Sequence, residues 1–225
     1  MRAETHLYSP RYARRLIALR GAEHLRRDTG GVLAFLHFGS FFLSGGALVH
    51  QLGLPYTLIA SRRNLALLPP AEADFWRGVH ERSARLFGAP LFFSDEPATN
   101  LTRWLKEGTF LGAAMDVRET GFEQRSSRFD FLGARLHLHL GPGRLAAMTG
   151  RPLHAMTILF DPERRRHELH LGPPIVERDP EILIQRALDD MAPIVSRAPW
   201  QLYHDLSGIF AQPHEVAPMI GVCRT

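Results

Sequence analysis

The chain contains one cysteine and one lysine. Cys223 is the only cysteine among 225 residues, so an intrachain disulfide is excluded and redox chemistry at a pair of thiols is not expected. Of the 27 basic residues only Lys106 is lysine, which leaves 26 arginines, and the net charge is +4. Arginine is well suited to bidentate contacts with phosphate and carboxylate groups. The composition therefore favours an anionic partner, or else a surface of arginines that simply face water.

Long apolar runs and several familiar binding motifs are also missing. No apolar stretch reaches the roughly 18 residues that span a bilayer, and the first residues lack the order of a signal peptide. We therefore expect a cytoplasmic protein, with peripheral attachment to the inner face of a membrane left open. Zinc-finger spacing, RNP-like motifs and a clear helix-turn-helix are absent, which disfavours nucleic acid as a partner. No phosphate-binding glycine loop and no G-x-S-x-G elbow occur, so neither nucleotide cofactors nor serine hydrolysis are indicated.

What is present is an alternation of short apolar segments with longer amphipathic ones. Strands are predicted over 32–36, 55–60, 90–93, 109–116, 152–160 and 166–171, and helices over 9–28, 41–52, 71–87, 97–107, 141–150 and 180–197. This order predicts an α/β fold, a single-domain sandwich in which helices flank a mostly parallel central sheet. The hydrophobic content of 45% is sufficient for one such core.

The first predicted helix, over 9–28, begins at a Ser-Pro pair and has an apolar side next to a basic one. Two interpretations stay open for it. Its apolar side packs against the core while the arginines face water, or the helix lies on an anionic membrane surface. We accordingly divide the chain into an amphipathic helical segment at 1–28, an α/β domain at 29–212 and a tail at 213–225.

Polar residues stand where three of the predicted strands end. His37 follows the first strand, the Ser-Arg-Arg-Asn run at 61–64 follows the second, and Asp116 ends the fourth. Parallel strands share one carboxyl edge, where α/β proteins collect their chemistry, so we expect these side chains to converge. Arg62 and Arg63 are candidates for holding a phosphate, with a solvated surface as the alternative. Arg144, near the start of a predicted helix, is a further candidate for an anion.

Histidine pairs raise the alternative of a metal site. His137 and His139 are two residues apart on a predicted strand and so point to the same side, and His167 lies near His170. Neither pair is followed by a third ligand at a recognised spacing. We therefore expect ordinary structural or surface histidines and no metal.

The order of these segments resembles one known family. His-Phe-Gly-Ser-Phe-Phe at 37–42, Ser-Arg-Arg-Asn at 61–64, Gly-Ala-Ala-Met-Asp at 112–116 and an aromatic-glycine loop at 129–133 are similar, in the same order, to blocks of the lysophospholipid acyltransferase superfamily. The segments at 141–152, 170–174 and 199–204 complete the series. The closest resemblance is to the lipid A late acyltransferase (lauroyl/myristoyl) branch, and it extends over about residues 30–210.

This resemblance implies transfer of a fatty acyl group to a hydroxyl or amine, with a thioester of acyl carrier protein or coenzyme A as donor and no other cofactor. His37 would be the general base. The family has Asp or Glu five positions after this histidine, whereas this chain has Phe42. Asp116 is one candidate to take over as partner of His37, and a carbonyl group or Ser40 is another. Phe42 itself is a candidate wall of an acyl-chain groove.

Two other functions remain as alternatives. A catalytically silent homologue would keep the fold and bind an acyl chain or thioester, and the loss of the acid at Phe42 favours that interpretation. A thioesterase would pass the acyl group to water. The oligomeric state is not indicated by any pattern in the sequence.

Overall fold

The computed structural model describes residues 9–66, 68–117 and 125–202. Its centre is a seven-stranded sheet in the order β1-β9-β8-β2-β5-β3-β4. These strands are β1 (Ile17–Arg20), β2 (Gly31–Phe35), β3 (Tyr56–Ala60), β4 (Phe92–Phe93), β5 (Phe110–Ala114), β8 (Leu153–Asp161) and β9 (Arg166–Leu171). The five strands from β8 to β4 are parallel, whereas β9 runs antiparallel to β8. The predicted α/β class with a mostly parallel sheet is confirmed.

Helices cover both faces of the sheet and follow most of its strands along the chain. They are α1 (Pro10–Leu16), α2 (Phe42–Leu52), α3 (Arg62–Ala66), α4 (Pro70–Phe87), α5 (Ala98–Lys106), α6 (Gly141–Thr149) and α7 (Pro180–Val195). One hydrophobic cluster joins the sheet to α6 and α7, and a second joins its other face to α1 and α2. Strand β2 is buried along its whole length. Its side chains point alternately to the two faces of the sheet, so they contribute to both clusters.

The predicted helix over 9–28 is wrong beyond its first two turns. The helix α1 ends at Leu16, and the chain continues as β1, which pairs in parallel with β9. Gln51 donates hydrogen bonds from its side-chain amide to the carbonyl groups of Ala13 and Ile17, so the end of α1 is held against α2. Edge pairing with β9 outweighs the helical periodicity, and part of the proposed N-terminal segment thus belongs to the central sheet.

The aromatic-glycine segment at 129–133 is a hairpin rather than a loop. Strands β6 (Ser126–Phe131) and β7 (Ala134–His139) pair antiparallel, with Leu132 and Gly133 at positive φ in the two-residue turn. The hairpin is tied to the main sheet because the backbone N–H of His139 donates to the carbonyl of Met115 at 2.8 Å.

Within the described ranges, no helix has both the length and the apolar character needed to cross a membrane. The same residues contain no cluster of three or more His, Cys, Asp or Glu side chains placed to hold a metal. The tail predicted at 213–225, with Cys223, lies outside the described residues.

Candidate active site

The site is built on the two central strands of the sheet. Strand β2 ends at Phe35 and delivers His37 two residues later, while β5 ends at Ala114 and delivers Asp116. Phe35 and Ala114 are direct partners in the β2–β5 register, and the N–H of Met115 donates to the carbonyl of Phe35. Equal offsets from paired strand ends therefore place His37 and Asp116 side by side.

The contact between His37 and Asp116 has two hydrogen bonds. The ring atom Nδ1 of His37 lies 2.7 Å from Oδ1 of Asp116, and the backbone N–H of His37 donates to Oδ2 at 2.8 Å. The side chain of Asp116 is 1% exposed, whereas that of His37 is 19% exposed. A buried carboxylate thus holds both the backbone and the ring of a histidine that reaches the surface.

Electrostatics favour the ionised form of Asp116. Burial acts to raise the pKa of this carboxyl group, but the neighbouring charge of His37 and its two hydrogen bonds outweigh burial and lower the pKa. An ionised carboxylate only accepts hydrogen bonds, so the proton between the two groups belongs to Nδ1 of His37. The basic lone pair of the neutral imidazole is then on Nε2.

The position five residues after His37 is occupied by an aromatic stack. Phe42 lies in the first turn of α2, with its ring centroid 4.0 Å from Phe41 and 5.4 Å from Trp76. Phe41 in turn meets the ring of His37 edge-on at 4.7 Å. The space beside the imidazole that the resemblance assigns to an acid is thus apolar here. Ser40 is buried in the same turn, and its carbonyl accepts from the N–H of Leu43.

A feature that the sequence analysis missed is the contact of Gln201 with the His37 loop. Its side-chain amide accepts from the N–H of Phe160 and donates to the carbonyl of Phe160, both at 2.8 Å. Its own carbonyl accepts from the N–H of Gly39 at 2.8 Å. Gln201 therefore bridges the end of β8 and the loop that follows β2. The 199–204 segment was noted only as part of the resemblance, which assigned Gln201 no role.

Gly39 shows why this bridge fits so closely. Its φ is +55°, and a Cβ atom there would collide with the carbonyl oxygen of Ile158. Only glycine allows the loop to approach β8 at this distance.

Of the arginine candidates, Arg62 already has two carboxylate partners. Arg62 forms ion pairs with Asp95 at 3.1 Å and with Glu96 at 2.8 Å, and its guanidinium lies over the ring of Phe93. The hydrogen bond from Arg62 to Glu96 raises the pKa of the guanidinium, which keeps it charged. Arg144 is exposed in the first half of α6. The side chain of Arg63 lies outside the described residues.

The paired histidines have protein partners. Nε2 of His137 lies 2.9 Å from the hydroxyl of Ser126, and Nδ1 of His139 accepts from the N–H of Gly141. His167 and His170 are three apart on β9 and so point to opposite faces of the sheet. These contacts correspond to structural roles for the first pair.

Comparison with known proteins gave structural likeness but no sequence match. The chain matches no known family model, and it matches no curated protein sequence. Among solved structures, it is similar to the 1-acyl-sn-glycerophosphate (LPA) acyltransferase PlsC from Thermotoga maritima. The sequence identity is 13%, the alignment covers 91% of this chain and 81% of that one, and the TM-score is 0.49. A likeness of this extent assigns neither a family nor an activity to the chain.

Proposed function

We propose that the protein is an acyltransferase in which His37 is the general base and Asp116 orients it. The observation that supports this proposal is the paired contact of Asp116 with the ring and the backbone of His37 at the carboxyl edge of the sheet. A histidine with its Nδ1 on a buried carboxylate presents Nε2 as the proton acceptor.

The reaction balances with this pair of residues. Nε2 of His37 takes the proton from the acceptor hydroxyl or amine as that atom attacks the carbonyl carbon of the acyl thioester. The tetrahedral intermediate collapses, the carbon–sulfur bond breaks, and the imidazolium returns the proton to the leaving thiolate. Asp116 stays ionised throughout and stabilises the transient charge on the ring.

The geometry favours an active enzyme over a silent binding protein. The resemblance puts the acid on the helix after His37, but Phe42 there packs on Phe41 and Trp76. In this proposal Asp116 replaces the missing acid from the neighbouring strand. Phe41, Phe42 and Trp76 then form one wall for the acyl chain, to which each buried methylene contributes roughly 0.8 kcal/mol.

The donor we propose is a thioester of acyl carrier protein or coenzyme A. The acceptor we propose is a molecule with a hydroxyl or amine group, and the resemblance to the lipid A acyltransferase branch does not narrow this class further. Arg62, Arg63, Arg144 and Ser40 stay candidate binding residues. Arg62 would have to exchange Asp95 or Glu96 for a phosphate, since both carboxylates now neutralise it.

An exposed surface next to the site supports the proposal that the protein binds to an anionic membrane. Trp200 is 73% exposed, directly before Gln201, and Phe160 at the end of β8 is partly exposed as well. Arg197 is close by along the chain, and its side chain is 47% exposed. Tryptophan beside arginine is typical of surfaces that bind lipid headgroups.

Trp200→Ala should therefore reduce the fraction of protein that sediments with anionic vesicles, while binding to neutral vesicles stays weak for both the wild type and the variant.

Acyl transfer itself is tested by mass spectrometry with acyl carrier protein and coenzyme A thioesters and a pool of phospholipid, glycolipid, alcohol and amine acceptors. Transfer by the wild type and by His50→Ala, but not by His37→Ala, would support the proposal. His50 is the matched control because it is a histidine at the far end of α2. Thioester loss without an acylated acceptor would favour the thioesterase, and binding without turnover in the wild type would favour the silent homologue.

A further inference from the structure

A polar cavity lies on the face of the sheet opposite His37. Its volume is about 270 Å³, and it opens between the β1–β9–β8 edge and α7. Ala155 and Thr157 of β8 line it, whereas the intervening Met156 belongs to the cluster that contains Phe35 and Phe41, the ring neighbours of His37. Neighbouring residues of a strand face opposite sides, so this cavity is separate from the proposed acyltransferase site.

One wall of the cavity offers acceptors of hydrogen bonds. Asp190 of α7 lines it, and none of the described residues donates a hydrogen bond to its carboxyl group. Burial, with a smaller contribution from Asp189, raises the pKa of Asp190. The hydroxyl of Thr157 is buried and has no partner within the described ranges, although the residue is only 4% exposed. Buried polar groups normally have partners, so the unpartnered Thr157 hydroxyl, beside the partly exposed carboxylate of Asp190, favours a ligand with donors.

The other wall carries Arg20 and His24, together with the carboxylate of Glu23. Glu168, just below the cavity, is a single buried carboxylate surrounded by Arg20, Arg164 and Arg197. Arg20 makes the longest of these contacts, at 3.7 Å, and its side chain is 54% exposed where it lines the cavity. A guanidinium has five N–H donors, so most of those of Arg20 remain available for an anionic group.

His24 stands beside Arg20 on the same wall. Its Nδ1 lies 3.0 Å from the carbonyl oxygen of Leu171. Its Nε2 lies 4.0 Å from Oε1 of Glu23, a distance too long for a hydrogen bond. Because a carbonyl only accepts, Nδ1 carries a proton, and Nε2 can donate to an anion that Arg20 holds when the ring is protonated.

We propose that this cavity binds a small zwitterion, a molecule with an ammonium group at one end and an anionic group at the other. The ammonium group contacts Asp190 and the hydroxyl of Thr157, and the anionic group contacts Arg20 and His24. The volume is close to the lower end of the range of about 300–1,000 Å³ that is typical of small-molecule sites, and it suits a molecule of amino-acid size. Since the cavity is remote from the His37 face, this inference does not depend on acyl transfer.

The test is a titration followed by two-dimensional NMR of the full chain with four probes. O-phosphoethanolamine and L-serine carry both charges, ethanolamine carries only the ammonium group, and inorganic phosphate carries only the anion. We expect saturable shifts at the amides of Gly21, Gly172 and Asp190 for the zwitterions, with affinity about tenfold or more above that for either single-charge probe.

Variants then test the two ends of the cavity. Asp190→Asn and Thr157→Val should each weaken zwitterion binding, Asp190→Asn by about tenfold or more. Asp189→Asn is the matched control, because Asp189 is the exposed neighbour on α7 and does not line the cavity. The spectrum of each variant also reports whether it is folded. Valine has nearly the same shape as threonine, so Thr157→Val tests the same end of the cavity even if Asp190→Asn does not fold.

Three outcomes would overturn the proposal. The first is the absence of saturable shifts for both zwitterions up to their solubility limits. The second is binding of phosphate as tightly as of O-phosphoethanolamine, which would mean a simple anion site with no role for Asp190. The third is binding of ethanolamine as tightly as of O-phosphoethanolamine, which would remove any role for Arg20 and His24.

Discussion

At the scale of single residues, the chemistry depends on where one proton resides. Asp116 is buried and ionised, and its Oδ1 lies 2.7 Å from Nδ1 of His37. An amide in place of this carboxylate keeps the size of the side chain but removes the charge. It can also present an N–H to Nδ1, which would move the ring proton to Nε2 and leave no lone pair for the acceptor.

We therefore expect Asp116→Asn to lower kcat for acyl transfer by roughly 10²–10⁴-fold with a small change in KM. Steady-state kinetics would measure this, with the thioester and acceptor that the mass-spectrometric screen identifies. Asp130→Asn, in the exposed hairpin turn region, is the control and should keep wild-type kcat. Activity of Asp116→Asn within about threefold of wild type would contradict an orienting role for this carboxylate.

His167 gives a second prediction at this scale, which concerns stability. Burial lowers the pKa of His167 from 6.5 to about 4. Between these two values the unfolded chain binds a proton that the folded protein does not. The free energy of unfolding should therefore fall as the pH drops from 6.5 towards 4, by up to about 3 kcal/mol for this one group.

Urea unfolding at a series of pH values would measure the slope. His167→Gln should be less sensitive to acid over this interval than the wild type, because its side chain does not titrate. His137→Gln on the hairpin is the matched histidine control, and we expect it to keep the acid sensitivity. An unchanged slope in His167→Gln would show that other groups are responsible.

At the scale of elements, the His37 loop depends on a contact from the far end of the described chain. Gln201 extends the pairing of β8 after β2 has ended, and it holds Gly39 through its carbonyl group. Phe38 and Leu202 also form an antiparallel bridge. Gln201 is thus a positioning residue in the proposed function, since it contacts the loop and not the reacting atoms.

Gln201→Ala should lower kcat by about tenfold while KM stays within about twofold. The backbone carbonyl that holds Gly39 would lose its side-chain anchor on Phe160, whereas the wall of Phe41, Phe42 and Trp76 is not altered. Gln185→Ala is a close control. Gln185 makes the same pair of amide contacts with the backbone of Asp130, but in the β6–β7 hairpin. Equal losses of kcat in the two variants would indicate general destabilisation in place of a positioning role.

At the scale of the whole molecule, Glu168 connects elements that are distant along the chain. Its side chain is 3% exposed and contacts Arg20 at the end of β1, Arg164 in the β8–β9 turn and Arg197 after α7. Burial acts to raise the pKa of Glu168, but the hydrogen bond and charge of Arg197 lower it overall. This carboxylate therefore stabilises the fold above its unfolded pKa, and that contribution is lost as the pH falls through the folded pKa.

Glu168→Gln should lower the free energy of unfolding by about 1–3 kcal/mol, because three guanidinium groups lose their shared counter-charge. The expected loss is below that of a fully buried pair, since the arginines are about half exposed. Chemical denaturation would measure it, with Glu163→Gln in the exposed turn as control. No loss of stability in Glu168→Gln would mean that the arginines are equally well solvated without it.

Much of the architecture could be predicted from local patterns. The apolar runs of β2, β3, β5 and β8 and the amphipathic periods of α2, α4 and α7 lie within a few residues of the predicted positions. The edge strand β1 and the β6–β7 hairpin could not be predicted in this way. Their conformation depends on pairing with β9 and on packing against α7, and such distant partners leave no trace in a local period.

The sequence by itself determined approximately where β2 and β5 end, and so that His37 and Asp116 stand at strand ends. Burial and hydrogen bonding of short apolar segments decide this locally. Only the tertiary structure decided that β5 lies next to β2, in the register that joins Asp116 to His37. It also decided that Gln201 reaches their loop. Strand order depends on long-range contacts whose loop-closure cost and packing energy belong to the whole chain, and therefore to no segment of the sequence alone.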